Sequence, residues 1–332
     1  MSGTEVPDIA QMRTAAAQLT AHVVTTPIQR WLGAQLEARL GAQTQVLLKL
    51  ELFQRTGTFK VRAAMLNLLA LTESERRNGV TAVSAGNHAI AVACAAQRVG
   101  VSAKVVMIKT ANPLRIAAAR AYGAEIIMAP DGRAAFAIAE DIRNAEQRAF
   151  IHPFDGRNVV LGTSGVGIEF LDQAAQLDAI VVAIGGGGLM SGVAAAVKQM
   201  KPHCLVFGVE PVGADVMSRS FRAGSAQSME RVDTIADSLA PPLTTPATYD
   251  LCRRFVDEIV IVSDDAICAA LALLYREAKL AVEPAGAAAT AAVLGPLAER
   301  LRGRRIGVVV CGANIDSDSF YRYLKRGEAQ LQ

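Results

Sequence analysis

The chain has few cysteines and they are scattered: Cys94, Cys204, Cys252, Cys268 and Cys311 form no CxxC pair and no Cys/His cluster. An odd number at wide spacing excludes a disulfide framework and a structural zinc site, and fits a reducing cytosol. Charge is sparse as well. Charged residues make up 20% of the sequence, and the formal net charge of +3 is not gathered into basic runs. The electrostatic footprint of a nucleic-acid binder is therefore missing, and small anionic ligands are the expected partners. No Pro/Gly/Ser-rich linker, low-complexity tract or internal repeat is visible. The apolar stretch from Ala179 to Val197 approaches the length of a membrane span, but four consecutive glycines break it into strand, loop and helix. The opening MSGTEVPDIAQMR carries acids early and has no apolar core, so no secretory leader is expected there.

What is present is apolar sequence of two kinds. With 332 residues and 52% hydrophobic content the chain can bury a large core, as one large domain or two interleaved ones. Short Val/Ile-rich runs alternate with longer Ala/Leu-rich stretches of helical period, the pattern of parallel strands joined by crossover helices. An α/β architecture follows, with strands expected at Gln45–Leu50, Thr81–Val83, Ala103–Ile108, Glu125–Met128, Ala179–Ile184, Leu205–Val209, Glu258–Val262 and Ile306–Val310. Most of them end at Gly, Ser or Asn, where open α/β sheets place their ligands.

Four segments carry chemistry. In ELFQRTGTFKVRAAMLNLL, Thr58 is placed to cap a helix whose first turn holds Lys60. The helix dipole and the nearby Arg62 both disfavour an ammonium there, favouring the free amine of a nucleophile. VSAGNH, from Val83 to His88, offers a hydroxyl, an amide and backbone N–H groups at the end of a strand, suited to a carboxylate or phenolate oxygen. Gly185, Gly186, Gly187 and Gly188 sit between a buried strand and a helix, where bare N–H groups and the helix field suit a phosphate. Neither the nucleotide P-loop nor the Gly-x-Gly-x-x-Gly fingerprint fits, since Leu189, Met190 and Ser191 fill the diagnostic places. Last, IGVVVCGANID closes a strand with Cys311, which is either a small core residue or a thiol facing a ring nitrogen.

In this order the four segments resemble the threonine/serine dehydratase branch of the fold-type II pyridoxal-phosphate enzymes. Thr26-Pro27, GVEP at Gly208–Pro211, ADSLAPP at Ala236–Pro242 and EPAGAAA at Glu283–Ala289 extend the resemblance over nearly the whole chain. It implies two interleaved three-layer αβα domains with open, twisted, mainly parallel sheets. Residues 1–76 and 153–332 would form the large cofactor-binding domain and residues 77–152 the small one. The implied cofactor is pyridoxal 5′-phosphate, held covalently by Lys60 with Phe59 beside the ring. Asn87 meets the ring's 3′-oxygen, the loop from Gly185 to Gly188 with Leu189 cradles the phosphate, and Cys311 faces the pyridine nitrogen. Ser84, Ala85, Gly86, Asn87 and His88 hold the substrate carboxylate. The implied reaction removes water from a β-hydroxy amino acid such as threonine or serine, giving a 2-oxo acid and ammonia, in a cytoplasmic homodimer.

Departures from the family pattern qualify this. Ala63 and Ser238 stand where the family commonly has glycine. Ala85 replaces the serine that racemases use as a second acid/base, so dehydration is favoured over racemisation. Of the family's metal ligands, Glu210 and Ala214 match but Val216 does not, with Asp215 one place early, so no metal is expected. The chain ends too soon after CGAN to hold the regulatory domain of biosynthetic threonine deaminases. A β-replacement enzyme of the cysteine-synthase kind, a nicotinamide oxidoreductase using Glu210 as its ribose ligand, and a non-catalytic binding module are the competing readings.

Overall fold

The computed structural model describes residues 5–331, so the first four residues of the stretch read for a leader lie outside the described residues. Two sheets organise it. The larger has six strands in the order β1 (Ile28–Trp31), β2 (Gln45–Lys49), β10 (Arg305–Val309), β7 (Ala179–Ala183), β8 (Leu205–Pro211) and β9 (Glu258–Val262). All its pairings are parallel except β1 with β2. The smaller sheet runs β5 (Glu125–Ala129), β4 (Ala103–Ile108), β3 (Val80–Val83) and β6 (Ala149–Phe150), parallel throughout.

The eight expected strands are all present, with ends displaced by no more than two residues. β1 and β6 were not anticipated. β1 reads IQRW and lies at an edge, where partial burial leaves no continuous apolar run; β6 has two residues, too few for any period.

Helices cover both sheets, and local chemistry sets where several begin. Asp8 and Gln11 form a capping box, Asn112 caps Leu114 N ahead of Pro113, and Thr245 caps Thr248 N ahead of Pro246. The helix Pro284–Leu294 is buried at every residue and packs beneath β7 and β8. The helix Lys60–Leu69 packs against helices Asn87–Val99 and Arg157–Gln173. Its Val61, Ala64, Met65 and Leu68 join Val80, Ala82 and Val105 in one apolar cluster under the smaller sheet. The buried Val, Met and Leu side chains contribute roughly 1.5–3 kcal/mol each, so the first turn of this helix is firmly anchored. Among the described residues no helix is long and apolar enough to cross a membrane.

Below that turn lies a buried ionic cluster. Arg62 bonds both oxygens of Glu51 (2.8 Å each) and of Glu169 (2.7 and 2.9 Å). Lys49 Nζ donates to Glu169, Gln173 and the carbonyl of Thr26. Two cations face two anions, which satisfies the requirement that buried charges be paired.

Candidate active site

Lys60 is the first residue of its helix, and Thr58 Oγ1 accepts from Lys60 N at 3.4 Å, the capping contact expected of it. Phe59 occupies the cap position without a side-chain bond, and Thr58 forms an antiparallel bridge with Gly312. Phe59 N donates to Cys311 O (3.3 Å) and Ala313 N to Gly57 O (3.0 Å), so the chain before Lys60 is zipped to the CGAN turn. This pairing brings Lys60 and Cys311 together. Lys60 Nζ donates to Pro153 O at 2.7 Å and stands 5.3 Å from the centre of the Phe59 ring. Burial is the main force lowering its pKa, to about 8, against the opposing pull of Cys311 and Glu283. Arg62, expected to help, is not a cause, because Glu51 and Glu169 neutralise it.

In the glycine loop, packing as well as ligand chemistry demands glycine. A side chain on Gly186 would strike the Phe154 ring at 2.4 Å, and Gly187 has φ +99°. Among the described residues, no backbone N–H from Gly185 to Met190 has a protein acceptor; the first to find one is that of Ser191, on Gly187 O. A largely buried run of unpaired donors at a helix start has the chemistry an anion needs.

The asparagine turn follows β3. Ser84 Oγ accepts from Gly86 N at 3.0 Å, so this hydroxyl shapes the turn. The N–H groups of Ala85, Asn87 and His88 have no acceptor among the described residues. His88 Nε2 meets Ile151 O at 2.9 Å, and burial above all, then Lys60, pushes its pKa down to about 3. The ring is therefore neutral and tethers the turn, leaving only the backbone of His88 free for a ligand. Asn87 donates to Glu283 Oε1 (2.7 Å) and Ser238 Oγ (3.1 Å) and accepts from Asn314 Nδ2 (2.8 Å).

Arg115, Asp237 and Glu283 complete the surroundings and were not assigned from the sequence. Arg115 packs against Gly86, bonds Asp237 (2.6 and 3.2 Å) and Glu283 (3.0 Å), and donates to Asn314 O. Burial raises the Glu283 carboxyl to about 7 although Arg115 pulls it down. Glu283 had a readable signal, being the single charge in AVEPAGAAATAAVL; Arg115 had none.

The Cys311 thiol donates to Ala285 O at 3.3 Å, and burial raises its pKa, so it keeps its proton. Glu210 accepts from Met217 N and Ser218 N at 2.8 Å each, capping the helix Val216–Ala223, while Ala214 N donates to Pro211 O. Asp215 pairs with Arg219 and Arg222.

A basic amine held as a weak one, a phosphate-sized run of N–H donors, a buried protonated thiol and an asparagine turn suit one cofactor. A family model described as pyridoxal-phosphate dependent enzyme matches residues 19–312, and the chain belongs to that family. The cofactor is pyridoxal 5′-phosphate, and the fold is the mixed α/β arrangement with parallel sheets found in fold-type II members. The chain is 51% identical to phenylserine dehydratase of Ralstonia pickettii, over 98% of each protein. It is 37% identical to L-threonine ammonia-lyase of Thermotoga maritima, over 85% of this chain and 70% of that one. Maize serine racemase superposes with a TM-score of 0.89 at 31% identity, covering 97% of this chain and 99% of that one.

Proposed function

We propose that the protein is an ammonia-lyase that removes water from a β-hydroxy amino acid, with phenylserine the first substrate to test, releasing a 2-oxo acid and ammonia. The observation that carries this reading is the Lys60 amine. With a pKa of about 8, roughly a tenth of it is neutral at pH 7, enough to join an aldehyde and to act as a base. Bound there, pyridoxal 5′-phosphate supplies the electron sink that loosens the bonds at the substrate α-carbon.

The remaining work belongs to the chain. Unpaired N–H groups from Gly185 through Gly188 to Leu189 hold the phosphate, and Phe59 lies beside the ring. Those of Ala85, Asn87 and His88 grip the substrate carboxylate in the turn from Ser84 to His88, orienting the α-hydrogen toward Lys60 Nζ, which takes it. Asn87 would offer its amide to the ring oxygen. Cys311, which keeps its proton, would offer a neutral hydrogen-bonding group to the ring nitrogen rather than a carboxylate. Ala85 supplies no second acid/base, which favours elimination over racemisation. Glu210 needs no metal in this reading, since both of its oxygens are taken by backbone N–H groups.

With this goes the division of the chain into a large unit of residues 1–76 and 153–332 and a small one of residues 77–152, each built around its own sheet. Homodimerisation is supported by the edge strand β1 and the exposed Leu32 and Tyr275 nearby, and a cytoplasmic site by five free, buried cysteines. Borohydride trapping followed by peptide mapping, with 2-oxo acid release scored on a panel of phenylserine, threonine and serine, tests the proposal. A pyridoxyl label on any residue other than Lys60, or turnover of none of the panel, would overturn it.

A further inference from the structure

Both amide hydrogens of Asn87 are in use. Nδ2 gives one to Glu283 Oε1 at 2.7 Å and the other to Ser238 Oγ at 3.1 Å, and Oδ1 accepts from Asn314 Nδ2 at 2.8 Å. Glu283 and Asn314 grip opposite ends of the amide, which sets its plane and prevents the flipped arrangement. The bond to Glu283 is the shorter of the two, 2.7 against 3.1 Å, and its acceptor is buried. The hydrogen given to Ser238 is therefore the one that Asn87 can release.

Ser238 is placed for the exchange. Its carbonyl lies 3.3 Å from where a side chain on Gly185 would begin, so it sits between the glycine loop and the asparagine turn. Its hydroxyl has a second partner, donating to Asp237 Oδ1 at 3.3 Å, and Asp237 is held by Arg115. Because Arg115 also bonds Glu283, five side chains close a ring: Arg115, Asp237, Ser238, Asn87 and Glu283. A glycine at this place, which the resemblance leads one to expect, could not close the ring. If Asn87 turned its hydrogen elsewhere, the serine would keep Asp237 and nothing buried would be stranded.

We propose that Ser238 is a positioning residue that holds the one releasable amide hydrogen of Asn87, so that the ring oxygen of the cofactor must take that hydrogen from a serine. The inference rests on the role given to Asn87 above. It makes this chain bind its cofactor more loosely than the same chain with glycine at 238.

The test is equilibrium dialysis of pyridoxal 5′-phosphate against the apoprotein. Ser238→Ala and Ser238→Gly should each lower Kd about three- to tenfold, the worth of one neutral hydrogen bond. Ser238→Thr, which keeps the hydroxyl, should stay within roughly twofold of the parent, well under one such bond. Unchanged or weaker binding in the alanine variant overturns the proposal, as does tightening confined to glycine, which would trace to backbone freedom. If borohydride labels Lys60 in every variant while the constants coincide, the role of Ser238 fails and the lyase reading stands. Absence of that label in the parent would instead bring down the lyase reading.

Discussion

Lys60 Nζ donates a 2.7 Å hydrogen bond to the carbonyl of Pro153, joining the first residue of one helix to the loop that follows the smaller sheet. The carbonyl holds the amine in place without a carboxylate to keep it charged. That relationship makes Lys60 both available and basic enough to be useful.

Removing the amine should remove both roles at once. Lys60→Ala is expected to lose the visible absorbance of the bound cofactor and to slow turnover by at least 10²- to 10⁴-fold, the usual range for a lost general base. Absorbance spectra and steady-state rates of the purified variant check this, and retained colour with normal rates would exclude Lys60.

The depressed pKa also predicts a pH dependence. An unfolded lysine titrates near ~10.4, whereas Lys60 in the folded chain titrates at about 8. Between these values the unfolded chain binds more protons, so stability of the apoprotein rises with pH across that window, and the penalty is fully present below it. Urea midpoints should therefore climb from pH 8 to pH 10 more steeply for the parent than for Lys60→Met. Parallel curves would mean that the amine is not depressed.

Cys311 is expected to tolerate exchange for another neutral hydrogen-bonding group. Cys311→Ser should keep turnover within about tenfold, or ~1.4 kcal/mol, because a hydroxyl can also meet a neutral ring nitrogen. A complete loss, measured as kcat with saturating cofactor, would show that the thiol has a further task.

Arg62 supports the site from below. Replacing it by Met leaves Glu51 and Glu169 buried beside an incomplete set of cations, which should cost about 3–5 kcal/mol. Equilibrium urea unfolding measures it directly; a loss below ~1 kcal/mol would mean that water or Lys49 takes over the charge.

Much of this was legible in the residues themselves. Val/Ile-rich runs located eight strands because β-branched side chains favour extended backbone even in the partly buried edge strands β5 and β9. Lys60, the turn from Ser84 to His88, the four glycines and Cys311 could be singled out because each stands where a strand ends or a helix begins, and such places show as a change in period. β1 escaped because two of the four residues of IQRW are polar, which leaves no apolar run to read, whereas Thr58 does accept from Lys60 N as expected.

Local sequence thus determined the order of strands and helices and the residue types offered at their junctions, since periodicity and glycine act over a few neighbours. Tertiary structure alone decided which groups meet. Arg115, Asp237 and Glu283 are far apart along the chain, and only folding brings them around Asn87. The basicity of Lys60 was likewise settled by desolvation, a property of everything packed around an amine rather than of its neighbours in sequence.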